Sequence, residues 1–360
     1  MKDELIFDLK QRLNRISPEA VSEMEKHASK IIEHVNLAFC QRKDWQTLIG
    51  PNPVEVLYSN HENHAGYIRS QLLIKGAGRF FETILWVYRS YMNRGFMPDY
   101  FLAVFPLWQQ AISEHISETH ASQVNAIYDF FLLYHQDFLK LAKVLSQDIE
   151  VEPGLKIFYE KYLNAMLAPD MMMAMQISRE FIKSANDITL FWEQVIQPAM
   201  YDVGRLWSEG EITVGQEHIA TSITQRVMAL HYPLILEQIK HDKTILVASS
   251  PGELHEIGPR ILADILELHG WNTVYTGADT PRESLVDLAL TTKADYLCVS
   301  TTLPFNLPGV KKLIEEVKIK VPQTKILVGG QAYQGEENLW QEMGADGFAP
   351  SASGAVAMLQ

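Results

Sequence analysis

The segment Pro251–Arg260 combines a carboxylate, an imidazole and a glycine at fixed spacing. Glu253 stands two positions before His255, and Gly258 follows three positions later. The apolar run Thr244–Ser250 before it predicts a β-strand, and the residues after it predict a helix. In an open parallel sheet such a loop lies at the carboxyl edge, where ligands bind. A carboxylate this close to an imidazole can accept a hydrogen bond from one of its ring nitrogens, so Glu253 is expected to orient His255. The residues predicted to surround the ligand in this loop are Glu253, Glu256, Ile257 and Gly258.

Two more strand-like runs end in residues suited to a narrow ligand slot. Tyr296–Leu303 ends in hydroxyl residues, and Lys325–Ala332 contains a pair of glycines. Glycine lets a backbone approach a planar group closely, and a serine hydroxyl can hydrogen-bond to it. The candidate slot residues are Ser300, Thr302, Leu303, Gly329 and Gly330. The alternative is an ordinary doubly wound sheet whose strands end in serine and glycine without a ligand.

These motifs together resemble the cobalamin-binding domains. The family signature Asp-x-His-x-x-Gly is similar to the sequence from Glu253 to Gly258, and its histidine ligates cobalt. Its Ser-x-Leu and Gly-Gly motifs flank the slot for the nucleotide tail of the cofactor, as Ser300–Leu303 and Gly329–Gly330 would here. This chain departs twice from the pattern, because Glu253 replaces the aspartate and Ser300–Leu303 contains one extra residue.

A third motif precedes the others, where Trp207 is followed after nine residues by Glu217 and His218. It resembles the signature of CarH-type photoreceptors, in which a helical bundle covers the upper face of adenosylcobalamin. The resemblance implies that Trp207 covers the adenosyl group and that Glu217 contacts its ribose. It also implies that His218 becomes the second cobalt ligand after light breaks the cobalt–carbon bond, with His255 as the lower ligand. The alternative is a core tryptophan followed by an exposed Glu–His pair.

The pattern of elements predicts a multidomain α and α/β protein. We expect a helical domain over 1–152, a helical bundle over 153–241 and a Rossmann-like domain over 242–360, with the first junction near Glu152–Gly154. Predicted strands cover 244–250, 273–278, 296–301 and 325–329, and a last strand–helix pair begins near residue 346. Predicted helices cover 18–40, 67–93, 98–116, 121–145, 259–269, 281–292 and 309–319, with continuous helical character over 155–240. Predicted breaks lie at 50–53, 94–95 and 117–122.

The segment Tyr91–Phe105 resembles the corner between helices F and G of sensor globins. Tyr91 stands where haem-binding members have their proximal histidine, which disfavours haem. A globin-like domain joined to a CarH-like module resembles the photocobilins, which bind biliverdin as well as cobalamin. Aromatic walls with nearby cations and hydroxyls would suit a linear tetrapyrrole. The candidate bilin contacts are Tyr88, Arg89 and Tyr91, with Arg94 and the histidines before residue 150 as further possibilities. The alternative is that these aromatic residues form an ordinary core.

Composition excludes several classes of function. The formal charge of −13 disfavours a nucleic-acid partner, which would require a basic face. The beginning of the sequence lacks the pattern of a signal peptide, and no apolar stretch is long enough for a membrane helix. The two cysteines, Cys40 and Cys298, form no disulfide framework. We therefore expect a cytoplasmic protein without membrane contact.

The leading hypothesis is a light sensor, not an enzyme, that binds adenosylcobalamin and a bilin. It would signal as a homodimer or larger homo-oligomer or through a separate partner. The second hypothesis is a corrinoid carrier for methyl transfer. A carrier must expose the upper face of cobalt to other proteins, which Trp207, Glu217 and His218 would hinder. A third is a cobalamin-free interaction module, against which His255, Ser300 and the glycine pair argue.

Overall fold

The computed structural model describes residues 1–143, 149–236, 242–336 and 338–359. The chain divides into two compact units. The first comprises Met1–Ser146 with Ser208–Gly210, and the second comprises Gln147–Trp207 with Glu211–Gln360. The change of unit after residue 146 is close to the junction predicted near Glu152–Gly154. The predicted helical bundle and Rossmann-like domain share the second unit.

The first unit is helical over its described residues. Its helices are α1 (Lys2–Asn14), α2 (Pro18–Cys40), α3 (Trp45–Ile49), α4 (Val54–Ile74), α5 (Ala77–Asn93), α6 (Asp99–His115), α7 (Glu118–Leu133) and α8 (His135–Leu141). Helix α2 has its predicted bounds, because Ser17 accepts a hydrogen bond from the Ala20 amide at 3.2 Å and Pro18 is its first residue. The predicted breaks at 50–53 and 94–95 are confirmed, with Gly95 at φ +84°.

Two predicted helices of this unit are wrong in their bounds. The single helix over 67–93 is two helices, since Lys75 adopts the left-handed conformation and ends α4 just before Gly76. The helix over 121–145 is α7 and α8, which meet at Tyr134. Helix α7 already begins at Glu118, so the predicted break over 117–122 is confined to its start. The predicted end at residue 145 lies outside the described residues.

The second unit begins with helices α9 (Lys156–Leu167), α10 (Met171–Phe181), α11 (Ala185–Phe191), α12 (Gln197–Ser208) and α13 (Val214–Leu236). These five are called the cap helices below. A π-helical turn, Trp192–Ile196, connects α11 to α12. Such turns are uncommon and often occur at functional sites. The sequence predicted helical character here but not the π turn, and the predicted end near residue 240 lies outside the described residues.

A five-stranded parallel sheet completes the second unit. Its strands are β1 (Thr244–Ser249), β2 (Asn272–Tyr275), β3 (Tyr296–Ser300), β4 (Lys325–Gly329) and β5 (Gly347–Ala349), in the order β2-β1-β3-β4-β5. Helices α14 (Ile257–Leu268), α15 (Arg282–Thr291), α16 (Leu307–Lys320), α17 (Leu339–Glu342) and α18 (Ala352–Leu359) alternate with them. The predicted parallel α/β architecture is confirmed. Strand β2 is shorter than predicted, and α17 was not predicted.

The cap helices and the sheet share one hydrophobic core. Buried residues from both parts, among them Trp192, Val227 and Ile261, belong to the same cluster. Burial of this apolar surface stabilises the arrangement of the cap helices on the sheet domain. Among the described residues, no helix combines the length and apolar character that a bilayer crossing demands.

Candidate functional site

The strand order creates a crevice between β1 and β3. The chain goes from β1 outward to β2 and then returns to β3 on the other side of β1. The connections after β1 and β3 therefore leave the sheet in opposite directions, and the crevice lies between them. Open α/β sheets bind ligands at such a point. The loop after β1 carries Glu253 and His255, and the segment after β3 runs from Thr301 to Asn306. The first two sequence motifs therefore meet at one sheet edge.

Glu253 holds these two loops together. Its side chain is fully buried, and its Oε1 accepts hydrogen bonds from His255 Nδ1 and from the His255 amide. Its Oε2 accepts the amides of Thr302 and Leu303, at 3.0 and 2.9 Å, and Asn306 Nδ2 at 3.1 Å. A buried carboxylate with this many donors is fully satisfied, which removes the cost of its burial.

The electrostatics of the pair favour a charged Glu253. Burial alone raises the pKa of Glu253, but hydrogen bonds from His255 and the Leu303 amide outweigh burial and lower the pKa below its ordinary value. The same hydrogen bond raises the pKa of His255 against the opposing effect of burial, and the charge of Glu217 contributes in the same direction. The charge of Glu217, on the cap helix α13, is the smallest of these contributions.

His255 has one ring nitrogen available for a ligand. Its side chain is 52% exposed although its carboxylate partner is buried. Nδ1 is engaged by Glu253, whereas Nε2 has no hydrogen-bond partner among the described residues. When Nδ1 carries the proton, the lone pair on Nε2 is free to coordinate a metal.

One face of α13 lies toward the loop after β1. Glu217, Thr221 and Gln225 are spaced four residues apart, so they line the same helix face. Thr221 donates to Glu217 Oε1 at 3.2 Å, and Gln225 donates to Glu256 Oε1. The sequence motifs predicted Glu217 and Glu256 as site residues, whereas Thr221 and Gln225 were missed. Their four-residue spacing from Glu217 was the signal that could have identified them.

Trp207 and His218 lie at opposite ends of the segment that joins α12 to α13. Trp207 is half-buried in the last turn of α12. His218 is 74% exposed, and its Nε2 lies 3.4 Å from Glu217 Oε2. The structure thus pairs His218 with Glu217. The covering role of Trp207 stays a prediction.

The predicted slot residues occupy the adjoining strand ends. A Cβ added to Gly258 would lie 3.8 Å from Ser300 Oγ, so these two residues face each other. A Cβ on Gly329 would lie 2.8 Å from the Ala349 carbonyl oxygen, and one on Gly330 only 2.3 Å from that of Thr301. Gly330 also has φ +98°. Both glycines are thus required by contacts between neighbouring strand ends, and their closeness to a planar base stays a prediction.

Two buried hydroxyl groups at the same edge of the sheet indicate whether the crevice suits a polar ligand. Ser250 Oγ and Thr276 Oγ1, which follow β1 and β2, are buried without a hydrogen-bond partner among the described residues. Such groups are rare because an unmade buried hydrogen bond is costly. A polar ligand in the crevice would supply partners. Ile257, by contrast, is part of the hydrophobic core of the second unit.

Within the described ranges, no three His, Cys, Asp or Glu residues are grouped so that they could hold a bare metal ion. The crevice offers the single imidazole of His255 instead, and His218 lies beside Glu217 on α13. Such a site suits a metal that arrives inside a macrocycle, because the ring then supplies most of the ligands. The donor set and the satisfied Glu253–His255 pair therefore fit a corrin-bound cobalt.

The first unit contains a separate cavity of about 40 Å³ lined almost entirely by aromatic and aliphatic side chains. Tyr88 and Tyr91, two predicted bilin contacts, belong to the lining. Arg89 does not, and its Nε donates to the Ala142 carbonyl oxygen at 3.0 Å. The cavity is small beside typical ligand pockets of about 300–1,000 Å³. A large pigment could enter only if lining side chains moved outward.

The cavity also identifies which histidines of this unit face a buried space. His61 and His64, one turn apart on α4, belong to its lining, and the sequence had not distinguished them from the other histidines. His61 contacts Asn36 Oδ1 at 2.5 Å and the Tyr100 hydroxyl at 3.0 Å, and His64 contacts the Tyr128 hydroxyl at 3.1 Å. Burial lowers the pKa of His61 to about 4 and that of His64 to about 3. Both are therefore neutral at physiological pH.

Comparison with known protein families matches most of the second unit. Two family models, each described as a B12 binding domain, match residues 159–231 and 243–359. The first match lies within the cap helices, and the second covers the parallel sheet with its helices. The residues that form the crevice and the α13 face belong to these two matches.

Individual relatives include a transcriptional repressor and several corrinoid proteins. The HTH-type transcriptional repressor CarH of Myxococcus xanthus is 25% identical over 207 residues, which cover 56% of this chain and 67% of that protein. Dimethylamine corrinoid protein 1 of Methanosarcina acetivorans is 29% identical over 184 residues, which cover 49% of this chain and 84% of that protein. The solved structure of the Methanosarcina barkeri monomethylamine corrinoid protein covers 57% of this chain and 98% of its own, with a TM-score of 0.50 and 20% identity.

At that identity the structural likeness shows the fold alone. The two domain matches and the sequence relatives add the ligand class. The cap helices and the parallel α/β domain of this chain therefore form a cobalamin-binding module with the architecture of corrinoid proteins.

Proposed function

We propose that the protein is a non-enzymatic light sensor that binds adenosylcobalamin between α13 and the loop after β1. The observation that supports this proposal most directly is the hydrogen bond from Gln225 on α13 to Glu256, the residue after His255. Glu217 shares a helix face with Gln225, so this contact turns the polar face of α13 toward the loop that carries the proposed cobalt ligand. His218, adjacent to Glu217 and largely exposed, supplies a second imidazole on the same helix turn.

Each residue then has a defined task at the site. His255 would hold cobalt through Nε2, while Glu253 keeps the proton on Nδ1 and fixes the ring. Glu217 would accept hydrogen bonds from a ribose, and Trp207 would shield the adenosyl group from water. When bound, adenosylcobalamin supplies a cobalt–carbon bond that light can break. His218 is the side chain proposed to occupy the upper coordination position afterwards.

The contacts between the cap helices and the sheet domain provide a route for a signal. Gln225 donates to Glu256, Tyr232 donates to Glu267 at 2.9 Å, and Trp192 donates to Asp264 at 3.0 Å. A ligand that contacts α13 in only one of its states changes the balance between two arrangements of these helices. We propose that the output is a change in self-association or in binding of a separate protein.

We further propose that the first unit is globin-like and binds biliverdin in its aromatic cavity. Tyr88, Tyr91, His61 and His64 line that cavity and would offer hydroxyls and neutral imidazoles to pyrrole nitrogens. Burial raises the pKa of Tyr91, so its hydroxyl stays protonated and can donate. A bilin would extend the response to red light.

The test of the cobalamin proposal is an absorption experiment in the dark. The full chain is loaded with adenosylcobalamin, and spectra are recorded before and after green light for the wild type and His218→Ala. His269→Ala is the matched control, since His269 also lies in the second unit but at the end of α14. We expect the wild type and His269→Ala to form the same stable photoproduct. The photoproduct of His218→Ala should have a different spectrum. No bound pigment, or no protein-dependent photoproduct, would refute the sensor.

A corrinoid carrier for methyl transfer is the second candidate. It is supported by the similarity to dimethylamine corrinoid protein 1, which extends over 84% of that protein. A carrier would bind methylcobalamin as well as adenosylcobalamin, and its photoproduct would not depend on His218. The same spectra, repeated with methylcobalamin, therefore separate the two functions.

Biliverdin binding is tested by adding the pigment to the purified chain and removing the excess by gel filtration. Tyr91→Leu and His64→Leu should reduce retention, because both side chains line the cavity. Tyr58→Leu is the control, since Tyr58 is an exposed tyrosine of the same unit. Equal retention in all variants, or none in the wild type, would contradict this part of the proposal.

A further inference from the structure

The cavity of the first unit is enclosed by side chains that carry no formal charge. Among the described residues its lining consists of aromatic and aliphatic side chains and two histidines, without any Asp, Glu, Lys or Arg. A charged group placed in such a cavity would lose its hydration and gain no partner of opposite charge, which is costly. The lining therefore suits a ligand that is uncharged where it enters the cavity.

The two histidines of the lining show how the cavity treats a nitrogen-containing ring. His61 contacts Asn36 and the Tyr100 hydroxyl, and neither partner is charged. His64 contacts the Tyr128 hydroxyl, which is also uncharged. Burial lowers the pKa of His61 to about 4, and burial together with the charge of His61 lowers that of His64 to about 3. A five-membered nitrogen ring thus stays neutral here at a pH at which it would gain a proton in water.

The charged side chains around the cavity do not compensate for a positive charge inside it. Arg94 and Arg79 act electrostatically on lining tyrosines, and both are cations. The carboxylate of Asp99 acts on a histidine that lies outside the lining. Glu33 and Glu62 line a separate surface groove, and neither contributes to the pKa of the lining histidines. A cation in the cavity would therefore have cations, not carboxylates, as its nearest charged neighbours.

One hydroxyl group of the lining lacks a partner. The Tyr67 hydroxyl is buried without a hydrogen-bond partner among the described residues. The neighbouring Thr83 hydroxyl donates elsewhere, to the Arg79 carbonyl oxygen at 3.1 Å. An unmade buried hydrogen bond is rare and costly, so a ligand that accepts from Tyr67 would be favoured. A carbonyl oxygen or an unprotonated ring nitrogen can accept, whereas a protonated ring nitrogen cannot.

We infer that the cavity selects its ligand by charge, taking a tetrapyrrole whose ring nitrogens carry no positive charge and leaving its propionate groups outside the lining. The inference rests on the proposed function in taking a tetrapyrrole as the ligand of this unit. The bound pigment stays neutral because the cavity supplies hydroxyl donors and aromatic walls but no counter-ion. Its absorption spectrum is therefore independent of the pH around the protein.

The absorption spectrum of the full chain loaded with biliverdin, recorded between about pH 5 and about pH 9, tests the inference. Protonation of a ring nitrogen moves the long-wavelength band of a bilin to the red. We expect the wild type to keep the spectrum of the neutral pigment throughout. Val87→Glu places a carboxylate at a half-buried lining position, so a red shift should develop in this variant as the pH falls.

Val87→Gln has nearly the same shape as Val87→Glu without the charge, and it is the matched control. Its spectrum should remain that of the neutral pigment, like that of the wild type. A wild-type spectrum that matches the protonated pigment at any pH in this range would overturn the inference. So would a Val87→Glu variant that retains the pigment and shows no red shift.

A second measurement uses the pigment-free protein and remains decisive if biliverdin is not retained. NMR of the full chain with ¹⁵N-labelled histidine follows the protonation of each ring, and His64→Gln assigns the signals of His64. We expect His61 and His64 to stay neutral down to about pH 5. A His64 ring that gains its proton near pH 6.5 would overturn the inference, because the cavity would then accept a positive charge. Loss of biliverdin from the wild type would refute the pigment proposal alone.

Discussion

The two units of the chain use histidine in opposite ways. In the first unit, His61 and His64 are surrounded by aromatic rings and hydrogen-bond to neutral partners, so burial lowers their pKa to about 4 and about 3. In the second unit, His255 is half-exposed and bonded to a buried carboxylate, which raises its pKa. The difference lies in the partner of the ring.

The comparison shows which histidine is ready to hold a metal. Both ring nitrogens of His61 are engaged, by Asn36 and Tyr100. In the part of the chain that the structure describes, His255 has a partner at Nδ1 alone, and the buried Glu253 defines which nitrogen carries the proton. The first arrangement builds a neutral polar network inside a core, whereas the second directs a lone pair outward.

The largest effect that we predict from this comparison is a loss of stability of the first unit in acid. In the unfolded chain a histidine gains its proton near pH 6.5, whereas His64 gains it only near pH 3 in the folded unit. Stability should therefore fall as the pH drops from about 6.5 to about 3, by about 3 kcal/mol for this residue by pH 4.5 and by about 4 kcal/mol by pH 3. Hydrogen exchange of α4 peptides at pH 7 and pH 4.5 measures the loss.

His64→Gln keeps a hydrogen-bonding side chain for Tyr128 but cannot gain a proton, so its pH dependence should be flatter. His27→Gln, outside the cavity lining, is the control. An identical pH dependence in His64→Gln and the wild type would mean that His64 is not held neutral by burial.

The second unit should respond to acid in the opposite direction at Asp264. Burial raises the pKa of Asp264 to about 7 although Trp192 donates to its carboxylate at 3.0 Å. Between about pH 4 and pH 7 the folded unit keeps a proton that the unfolded chain releases, so this contribution to stability declines as the pH rises. Asp264→Asn should remove this decline of about 3 kcal/mol between pH 4.5 and pH 8.

Chemical denaturation of the second unit, followed by hydrogen exchange of α14, provides the measurement. The exposed Asp287→Asn is the control, because its carboxylate lies in water. If Asp264→Asn retains the decline between pH 4.5 and pH 8, the buried carboxylate is ionised throughout that range.

The smallest effect concerns the contact between α13 and the loop after β1. Gln225→Ala removes the hydrogen bond to Glu256 but leaves the hydrophobic core intact. Because the contact is only partly buried, we expect a loss of about 1 kcal/mol in stability without cobalamin. The stability of Gln216→Ala, a change elsewhere on α13, is measured for comparison. A loss of stability above about 3 kcal/mol would contradict this expectation, because it would mean that the contact holds the crevice together.

The sheet domain could be predicted from sequence because its signals are local. Apolar runs such as Thr244–Ser249 alternate with amphipathic helices, and the loop between β1 and α14 carries its residues in consecutive order. The parallel architecture and the meeting of Glu253, His255 and Ser300 at one edge followed from that alternation. The boundary at Lys75 did not, since a lysine in the left-handed conformation has no sequence signature.

Contacts between distant elements could not be predicted in the same way. The hydrogen bonds of Glu253 to the Thr302–Asn306 segment join residues almost fifty positions apart, and only the register of β1 with β3 brings them together. The π turn beginning at Trp192 is likewise linked to Asp264 on α14. In the first unit, the choice of His61 and His64 among the histidines depended on how α4 packs around the cavity.

We propose that His255 Nε2 is the protein ligand to cobalt in the crevice between β1 and β3. EPR of the chain loaded with cob(II)alamin, prepared with ¹⁵N-labelled histidine, tests it most directly. We expect axial superhyperfine splitting that changes from the ¹⁴N to the ¹⁵N pattern and disappears in His255→Ala. A splitting indifferent to the label and to His255→Ala would contradict it, because the axial nitrogen would then belong to the nucleotide base.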